Sequence, residues 1–472
     1  MKNSKWLSAA LASSLLVTGG VVSVLATSNN AEAAAVQSAA VKEGTTTWTV
    51  NGTPVALSTI DKNGYRLYSL SQVAGELGAY VKVSSNGFEL NDSKGLHTLQ
   101  IQTGAKSYLV DGTKQEFTVA PVFYNGKTYV ELTKLVTGLG GELQADSATI
   151  LSFALPEGDF DTLRWSTDGS LIANKSDAET TQLLKFSNTP GNYDLFSSND
   201  GAVGFAVSAD QKWGAFSDET GQLKLINLFN GVITPLGKDT SVKTDLVWSE
   251  DGKKIYFIQG DKQEKIAQIS LDTGTVKTLL EDKVENKSEL RVSADEKNVV
   301  YIVNVTGVAK NDADSTEDSL TVDFSKAGEQ LYKLDLTTKD AKPAALTTEL
   351  DNKLYPEILN NGSVVYLSAD PEGNAANSLK SIAADGKSSN IALDGEANWA
   401  AGVSGGLVVS AVTADGSTVI YAISADGAKS ELFRTAEDVT EVSASHDGSK
   451  LALVSGGTLW LVQNGKALQL SK

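Results

Sequence analysis

A tight turn, Asp-Gly in its clearest copies, recurs at a nearly constant interval through the C-terminal two-thirds of this chain. In the copy at 247–257, an extended segment ends at Trp248, Glu250-Asp251-Gly252 supplies the turn, and a second extended segment of β-branched and aromatic residues follows. Successive turns are separated by 42, 41, 44, 66, 44 and 42 residues. Their first residues are Asp168, Asp210, Asp251, Asp295, Asn361, Gly405 and Asp447. These intervals divide the region into seven similar units.

A repeat of this length fits four short strands, and a four-stranded unit cannot bury both of its faces until neighbouring units pack against it. We therefore expect residues 157–472 to close into a β-propeller of seven four-stranded blades, with six blades as the alternative. The predicted strands of the last unit are 439–443, 450–454, 458–462 and 467–470. Because the first and last units are both complete, we expect no exchange of strands between the two ends of the ring.

Three of the turns share a longer motif. They are Trp165-Ser166-Thr167-Asp168-Gly169, Trp248-Ser249-Glu250-Asp251-Gly252 and Ser443-Ala444-Ser445-His446-Asp447-Gly448. The motif resembles the Trp-Ser-x-Asp-Gly signature of TolB-like, WD-repeat-like propellers, and the resemblance covers the whole second domain. The units at Asn361 and Gly405 keep the turn and lose the acidic residue. The resemblance implies a mainly β fold of the same kind.

The region before the propeller contains a duplicated unit. The matching stretches are 48–53 with 108–113, and 63–68 with 125–130. Apolar residues then fall at i, i+3, i+4 and i+7 from Leu70 and again from Leu132, which predicts one short amphipathic helix in each unit.

Both predicted helices carry signals at their ends. Ser69 and Gln72 have the spacing of a capping box at the start of the first helix. Gly78 and Gly140, which are 62 positions apart, stand where a residue in the left-handed conformation is expected to end each helix.

This order of strand, Asn/Asp-Gly turn, strand and short helix resembles the copper amine oxidase N-terminal-like domain, or stalk domain, of secreted Gram-positive proteins. The resemblance covers residues 46–153 and implies a small α+β module of the cell envelope. It implies no copper chemistry, because in amine oxidases this module stands apart from the catalytic domain. The family usually carries Val-Pro-Leu-Arg at the helix entry. This chain has Val130-Glu131-Leu132-Thr133 there, so no role is assigned to the family's arginine.

The N-terminus has the pattern of an export signal. Lys2 and Lys5 precede an uncharged apolar run over 7–26, and Ala31-Glu32-Ala33 fits a small-x-small processing site. We predict a signal peptide over 1–33, cleavage after Ala33 or Ala35, and a linker over 34–45. The predicted location is outside the cell or on the wall of a Gram-positive bacterium, with no membrane insertion after cleavage. An uncleaved membrane anchor is the alternative.

Composition narrows the possible partners. The formal net charge is −18, and no basic run compensates for it, which disfavours binding to nucleic acids or anionic membranes. The chain has no cysteine, so disulfides, thiolate nucleophiles and thiolate metal sites are excluded.

The one long interval contains an acidic insertion over 306–330. Its acidic residues include Asp312, Asp314, Glu317, Asp318 and Asp323. If the Asp-Gly turns join the first and second strands of each blade, the insertion joins the second and third strands and emerges on the opposite face of the ring. Its two interpretations are a lid or cation site over the channel mouth, and a solvated acidic loop.

Two motif matches suggest an enzyme and fail on chemistry. Residues 189–194 match the Thr-x-x-Asn-Tyr-Asp pattern around the tyrosine of copper amine oxidases that becomes a quinone. Copper in that family needs three imidazoles, and this chain has only His97 and His446. We therefore predict that Tyr193 is a strand residue of the first blade and that both histidines are exposed loop residues.

The second match is Gly402-Val403-Ser404-Gly405-Gly406, which has the form of a nucleophile elbow. Asp415 or Asp426 and then His446 follow in the order that hydrolases use. An elbow requires a strand that enters a helix, whereas 407–410 continues as a strand. We interpret the match as chance in a chain with 42 glycines.

These observations favour an exported, non-enzymatic binding or scaffold protein of the bacterial cell envelope. Its predicted partner is an unknown protein or a cell-wall polysaccharide, and we assign no catalytic, cofactor-binding or metal-binding residue. The alternative is an extracellular hydrolase or lyase that uses carboxylates in the propeller channel. Acidic residues from several blades within about 10 Å of one another would favour that alternative. A third hypothesis, a surface protein that depends on divalent cations, rests on the acidic insertion.

Overall fold

The computed structural model describes residues 41–306, 308–310, 321–323 and 328–472. The predicted signal peptide over 1–33 and its cleavage sites lie outside the described residues. The first strand begins at Lys42, inside the stretch predicted as a linker, because its backbone pairs with the next strand from Lys42 onward. In the described part of the chain, no helix is both long and apolar enough to span a membrane.

The first domain contains twelve strands and two helices. They are β1 (Lys42–Val50), β2 (Thr53–Lys62), β3 (Tyr65–Ser69), α1 (Leu70–Glu76), β4 (Tyr80–Ser84), β5 (Gly87–Asn91), β6 (Thr98–Gln102), β7 (Ser107–Val110), β8 (Thr113–Glu116), β9 (Val122–Tyr124), β10 (Lys127–Val130), α2 (Leu132–Gly138), β11 (Glu142–Gln144) and β12 (Thr149–Leu151). One sheet has the order β11-β12-β1-β2-β3-β10-β9, and the other runs from β4 to β8 in sequence order. The α+β prediction is confirmed.

The two helices form where the periodicity predicts them. Leu70 and Val73 of α1 and Leu135 and Val136 of α2 belong to one buried core, which also includes side chains of both sheets. The glycines at 78 and 140 have φ of +71° and +77°, as expected for residues that end helices in the left-handed conformation.

The predicted capping box is wrong. The Ser69 side chain makes no cap hydrogen bond. Gln72 instead donates from Nε2 to the carbonyl of Ala56 at 2.7 Å and accepts from the amide of Ser58 at 2.8 Å. Strand β3 pairs with β2 only over Thr59–Lys62. Beyond the end of β3, the Gln72 side chain supplies the hydrogen-bond partners for the β2 backbone at Ala56 and Ser58.

The second domain contains seven four-stranded antiparallel sheets, which we number as blades 1 to 7. Blades 1 to 3 contain β13 (Phe160–Trp165), β14 (Leu171–Lys175), β15 (Leu183–Phe186), β16 (Tyr193–Ser197); β17 (Ala206–Val207), β18 (Trp213–Ser217), β19 (Leu223–Asn227), β20 (Ile233–Leu236); and β21 (Lys243–Trp248), β22 (Lys254–Gln259), β23 (Lys265–Ser270), β24 (Val276–Glu281). Blade 4 contains β25 (Lys287–Val292), β26 (Asn298–Val305), β29 (Gly328–Asp335) and β30 (Ala344–Ala345), with the separate pair β27 (Val308–Lys310) and β28 (Thr321–Asp323). Blades 5 to 7 contain β31 (Asn352–Ile358), β32 (Val364–Ala369), β33 (Ser378–Ile382), β34 (Ser388–Ile391); β35 (Glu396–Val403), β36 (Gly406–Val412), β37 (Thr418–Ser424), β38 (Lys429–Thr435); and β39 (Glu441–Ala444), β40 (Lys450–Ser455), β41 (Thr458–Gln463), β42 (Lys466–Gln469).

Buried apolar clusters join each blade to the next all the way around. One of them packs Phe160 and Phe186 of blade 1 against Leu459 and Leu461 of blade 7. The sheets therefore form a closed ring, and the prediction of seven blades rather than six is confirmed. Each terminal blade is complete, so the ring closes without strand exchange, as expected.

In blades 2, 3, 4 and 7 the turn between the first and second strands is shaped by a Ser-x-Asp pattern. In blade 3, Ser249 Oγ donates to Asp251 Oδ1 at 2.8 Å, and the amide of Lys253 donates to the same oxygen at 3.0 Å. Blade 7 repeats the bond between Ser445 and Asp447 at 2.6 Å. In these turns the aspartates therefore organise local backbone.

Three lysines are buried where successive blades meet. The side chains of Lys243, Lys287 and Lys353 are fully buried, and each ammonium donates to backbone carbonyls and to one aspartate. Lys287 in blade 4, for example, donates to the carbonyl of Glu264 in blade 3 at 3.0 Å and to Asp282 Oδ1 at 2.8 Å. These lysines act as polar cross-links, and the sequence analysis did not identify them.

Two lysines join the domains. Lys94 Nζ donates to the Tyr193 carbonyl and to Asp194 Oδ1, both at 2.8 Å, and lies 4.8 Å from the centre of the Phe153 ring. Lys472 Nζ lies 2.9 Å from Glu142 Oε2. The first domain thus contacts both the first blade and the end of the last blade.

The acidic insertion leaves the ring after β26 and returns at β29, so it joins the second and third strands of blade 4, as predicted. The strands β27 and β28 pair with each other. The residues Asp312, Asp314, Glu317 and Asp318, on which the hypothesis of a cation site depends, lie outside the described residues.

Candidate ligand site in the central channel

The first strand of each blade lies at the centre of the ring, where neighbouring first strands contact one another. The turn at the end of each strand provides a common reference point. We count back from the first residue of each turn. The residues six positions earlier are Thr162, Gly204, Asp245, Glu289, Tyr355, Trp399 and Glu441. The residues four positions earlier are Arg164, Ala206, Val247, Arg291, Glu357, Ala401 and Ser443. These two sets contain the charged and aromatic groups of the channel.

A bulge fixes the orientation of several of these residues. Thr162, Asp245, Glu289 and Tyr355 have φ of +56°, +52°, +52° and +50°, and each lies at a register shift between the first and second strands of its blade. A non-glycine residue in this conformation costs about 1–3 kcal/mol. Bulges re-aim the side chains that follow them, and such strain is concentrated at functional sites.

Carboxylates from the preceding blade hold two of the bulges. Glu441 of blade 7 accepts the amide protons of Thr162 and Leu163 in blade 1 at 2.9 and 2.8 Å. Asp245 of blade 3 accepts the amide proton of Glu289 in blade 4 at 2.8 Å. The first of these contacts is also part of the closure of the ring.

Arg291 contacts one carboxylate of its own blade and one of the next blade. Its Nη2 lies 3.2 Å from Glu289 Oε2, and its Nε lies 3.3 Å from Glu357 Oε1. Burial disfavours the charged form of Arg291, but the charges of Glu357 and Glu289 outweigh that effect and raise its pKa. A Cβ at position 402 would lie 2.8 Å from Glu357 Oε2, so glycine there leaves room for this carboxylate.

Arg164 occupies the equivalent position in blade 1 and has different neighbours. Its Nη1 donates to the Leu163 carbonyl at 2.9 Å, and its Nε donates to the Phe205 carbonyl at 3.1 Å. Among the residues that the structure describes, no carboxylate forms an ion pair with Arg164. Burial lowers its pKa, and the charge of Glu441 opposes that shift.

Two cavities meet at Arg164. The larger, of about 360 Å³, is lined by Arg164, Tyr355, Trp399, Asn398 and Glu441 among others, and lies toward the beginning of the first strands. The smaller, of about 270 Å³, lies toward the turns and shares Arg164 with the larger one. A cavity of the larger size, with aromatic walls and a few polar groups, has the general form of a small-molecule site.

The motif that matches a nucleophile elbow does not form one. Ser404 lies in the tight hairpin turn between β35 and β36, and its amide donates to the carbonyl of His446 at 2.8 Å. Asp415 lies in the turn between β36 and β37, at the other end of the blade, where Thr413 Oγ1 donates to it at 2.5 Å. Asp426 accepts a hydrogen bond from Ser424 in the turn between β37 and β38. The structure does not assemble these groups into a catalytic triad.

The two histidines lie in different domains. His97 is a partly buried loop residue whose Nδ1 lies 2.8 Å from Asp111 Oδ2. His446 is exposed beside the smaller channel cavity. Tyr193 is the first residue of β16, which confirms that it is a strand residue of blade 1.

Carboxylates from blades 3, 4 and 5 do come together around Arg291, which is the arrangement named above as favouring an enzyme. Asp245, Glu289 and Glu357 each contact a protein donor there. Neither channel arginine was predicted from the sequence as a site residue, although 163–166 and 290–293 repeat the pattern Leu-Arg-x-Ser.

Residues 49–151 match the model of the copper amine oxidase N-terminal domain. None of the curated proteins matches the sequence. Among solved structures, the oligogalacturonate lyase of Vibrio parahaemolyticus is similar, with 15% identity and a TM-score of 0.46, over 67% of this chain and 86% of the lyase. The tricorn protease is similar with 11% identity and a TM-score of 0.44, over 91% of this chain and 43% of the protease.

A putative TolB from Agrobacterium tumefaciens is 16% identical, with a TM-score of 0.35, over 49% of this chain and 79% of that protein. At these identities and scores the structural neighbours carry no information about activity. The assignment of the second domain rests on its own ring of sheets. Residues 49–151 therefore form a copper amine oxidase N-terminal domain, and the seven sheets that follow it form a β-propeller.

Proposed function

We propose that this chain is an exported, non-enzymatic binding protein of the bacterial cell envelope that holds its ligand in the propeller channel. The observation that carries the proposal is the cavity of about 360 Å³ at the channel mouth. Its walls combine the aromatic rings of Trp399 and Tyr355 with the polar groups of Asn398 and Arg164. Aromatic walls with a few directional polar groups are typical of sites that bind small molecules or the ends of chains.

The hydrogen bonds of the channel carboxylates support binding over acid–base catalysis. Glu441 accepts two backbone amide protons, and Glu289 and Glu357 contact Arg291. These contacts engage both oxygens of Glu441 and one oxygen each of Glu289 and Glu357 with protein donors. A glycosidase needs one carboxylic acid that holds a proton for the leaving group and a second carboxylate nearby. These glutamates have the contacts expected of groups that shape the channel.

The first domain supports a place in the envelope. Its match to the copper amine oxidase N-terminal domain agrees with the export pattern in the sequence and with the predicted envelope module. Lys94 and Lys472 attach this domain to the first and last blades. In this arrangement the module holds the propeller at the wall, and a wall polysaccharide or an envelope protein reaches the channel. The strong net negative charge disfavours nucleic acid as the partner.

The test is retention of the mature full-length protein on purified Gram-positive cell wall. We expect the wild type to be retained, and Trp399→Ala to bind at least tenfold more weakly. Phe229→Ala is the matched control, because Phe229 is an aromatic residue that is 76% exposed on the outside of the ring. Melting temperatures establish that both variants fold. Asn398→Ala, a change at an exposed channel residue, provides a second variant with less effect on packing.

Two results would contradict the proposal. One is wild-type protein that the wall does not retain. The other is turnover of a wall polysaccharide or peptide library that is lost in Glu357→Gln or Glu441→Gln, which would favour the carboxylate hydrolase or lyase instead.

A further inference from the structure

Arg164 differs from every other arginine of this chain. The sequence contains four arginines. Arg66 pairs with Asp61 at 2.9 Å, Arg434 pairs with Glu431 at 2.9 Å, and Arg291 contacts Glu289 and Glu357. Among the described residues, Arg164 alone has no carboxylate partner. It is also the arginine that borders both channel cavities.

Its protein contacts leave part of the guanidinium available. Arg164 donates from Nη1 and Nε to two backbone carbonyls, which hold the plane of the group in position. Within the described residues, Nη2 has no protein acceptor. Glu441 is the nearest carboxylate whose charge acts on Arg164, but its two oxygens are directed to the amides of Thr162 and Leu163 and form no hydrogen bond with the guanidinium. A guanidinium held in this way is suited to bind a carboxylate or a phosphate oxygen.

Among the described residues no carboxylate contacts this partly desolvated cation, and such an arrangement is costly. An anion bound in the cavity would reduce that cost. Burial already lowers the pKa of Arg164, in agreement with this environment. The net charge of −18 sets a limit on the size of the anion, since a long polyanion lying across the surface would be repelled. The cavity volume of about 360 Å³ sets a similar limit.

We propose that the channel ligand carries a single anionic group, a carboxylate or a phosphate, that binds to Arg164 while the rest of the ligand packs on Trp399 and Tyr355. This inference rests on the proposed function, because it names the ligand class of the same site. It makes Arg164 the residue that selects acidic ligands over neutral ligands of equal size.

The direct test is an anion titration that is monitored through the NMR signals of the arginine Nε–H groups. The chain has only four of these signals, and single Arg→Gln variants assign them. The probes are acetate and inorganic phosphate, with chloride at the same ionic strength as the reference. We expect the Arg164 signal to shift and saturate, and the signal of the exposed Arg434 to show no saturation. A response to acetate alone identifies a carboxylate, and a response to phosphate alone identifies a phosphate.

The inference is overturned if the Arg164 signal shows no saturable shift up to ~100 mM of either anion, the range of very weak binding. Arg164→Lys covers the case in which Arg164→Gln does not fold, because the lysine keeps the charge and its loss of one of the four arginine signals gives the same assignment. Arg434→Gln is the control for simple loss of charge, and it is expected to leave the Arg164 response unchanged.

Wall retention separates this inference from the proposed function. If the wall retains Arg164→Gln as well as the wild type, the anion inference fails and the binding function stands. If acetate or phosphate binds at Arg164 and the wall does not retain the wild type, the inference stands and the proposed function fails.

Discussion

The two halves of the propeller fill equivalent inner positions with different chemistry. Eight residues before the turn, blades 3 to 5 place the buried lysines Lys243, Lys287 and Lys353, whereas the other four blades place the buried apolar residues Phe160, Ala202, Ala397 and Val439. We call blades 3 to 5 the polar half and blades 6, 7, 1 and 2 the open half. Arg291 lies in the polar half and Arg164 in the open half.

The two arginines make the comparison sharper, because their local backbone is the same. Each follows a left-handed bulge residue by two positions, and each donates from Nη1 to the preceding carbonyl at 2.9 Å. Around Arg291, Glu289 and Glu357 supply the counter-charges. The same positions around Arg164 are Thr162 and Ala206. In the polar half carboxylates therefore contact the channel arginine directly, while in the open half, among the described residues, no carboxylate forms an ion pair with the arginine beside the cavity.

The largest expected effect is the loss of a buried lysine from the polar half. Lys287→Ala leaves Asp282 and the carbonyl of Glu264 without their donor, so we expect a loss of about 3 kcal/mol in the free energy of unfolding. Val439→Ala changes the equivalent position of the open half and should cost about 1–2 kcal/mol, since it removes only buried methyl groups. Denaturant unfolding followed by tryptophan fluorescence measures both. Equal losses would remove the distinction between the halves.

The next prediction concerns the arginines themselves. Arg291→Gln leaves Glu289 and Glu357 near each other without their cation, so we expect a loss of about 2 kcal/mol, reduced from the fully buried case because these side chains are partly exposed. Arg164→Gln removes a charge that no carboxylate in the described part of the chain contacts, and we expect a loss of under ~1 kcal/mol. The same unfolding experiment compares them. A larger loss for Arg164→Gln would show that its backbone contacts outweigh its missing counter-ion.

The blade pattern could be predicted from the sequence because it is local chemistry. Ser249 and Asp251 organise their turn through bonds to residues at most five positions away, and the same Ser–Asp bond recurs in blades 2, 4 and 7. The two helices were predictable for the same reason. The predicted capping box at Ser69 is wrong because the Gln72 side chain forms hydrogen bonds with the backbone of β2, which lies 14 to 16 positions earlier in the sequence.

The channel site could not be predicted in the same way. Whether Arg164 or Arg291 has a counter-charge depends on residues of neighbouring blades, such as Glu357, which is 66 positions from Arg291. The buried lysines escaped notice because lysine is almost always exposed unless it is paired. Once the turns are aligned, counting back four, six and eight residues finds all of these positions, which gives a rule for related repeat sequences.

Acid should affect the two halves alike, because each half contains two turns with the same Ser-Asp bond. The hydrogen bond from Ser293 lowers the pKa of Asp295 in the polar half to about 2, and that from Ser445 lowers the pKa of Asp447 in the open half to about 2. A carboxyl with a lowered folded-state pKa stabilises the fold above its unfolded-state pKa of about 3.9, and that stability is lost as the pH falls toward 2.

We therefore expect the melting temperature of the wild type to fall between pH 4 and pH 2. Asp295→Asn and Asp447→Asn should start lower at pH 7 and lose a few degrees less over that range. Thermal unfolding at a series of pH values measures this. If only one of the two variants lost less melting temperature in acid than the wild type, the turns, like the channel, would differ between the halves.

The smallest expected effect tests the electrostatics of the open half through Glu441. Its charge lies near Arg164 and competes with any anion that binds there, although its oxygens are engaged with the amides of Thr162 and Leu163. Glu441→Gln keeps an acceptor for one of those amides, so we expect a stability loss of about 1 kcal/mol. The same change removes a repulsive charge and should strengthen acetate or phosphate binding about threefold.

Asp245→Asn is the matched control, because Asp245 accepts the amide of Glu289 in the polar half just as Glu441 accepts that of Thr162 in the open half. It should cost a similar free energy of unfolding and leave anion affinity unchanged, since its neighbouring arginine already has two glutamates. If both variants strengthened anion binding equally, the effect would come from the overall charge of the protein. A gain in Glu441→Gln alone would locate the anion beside Arg164, where the described residues supply no acceptor for one guanidinium nitrogen.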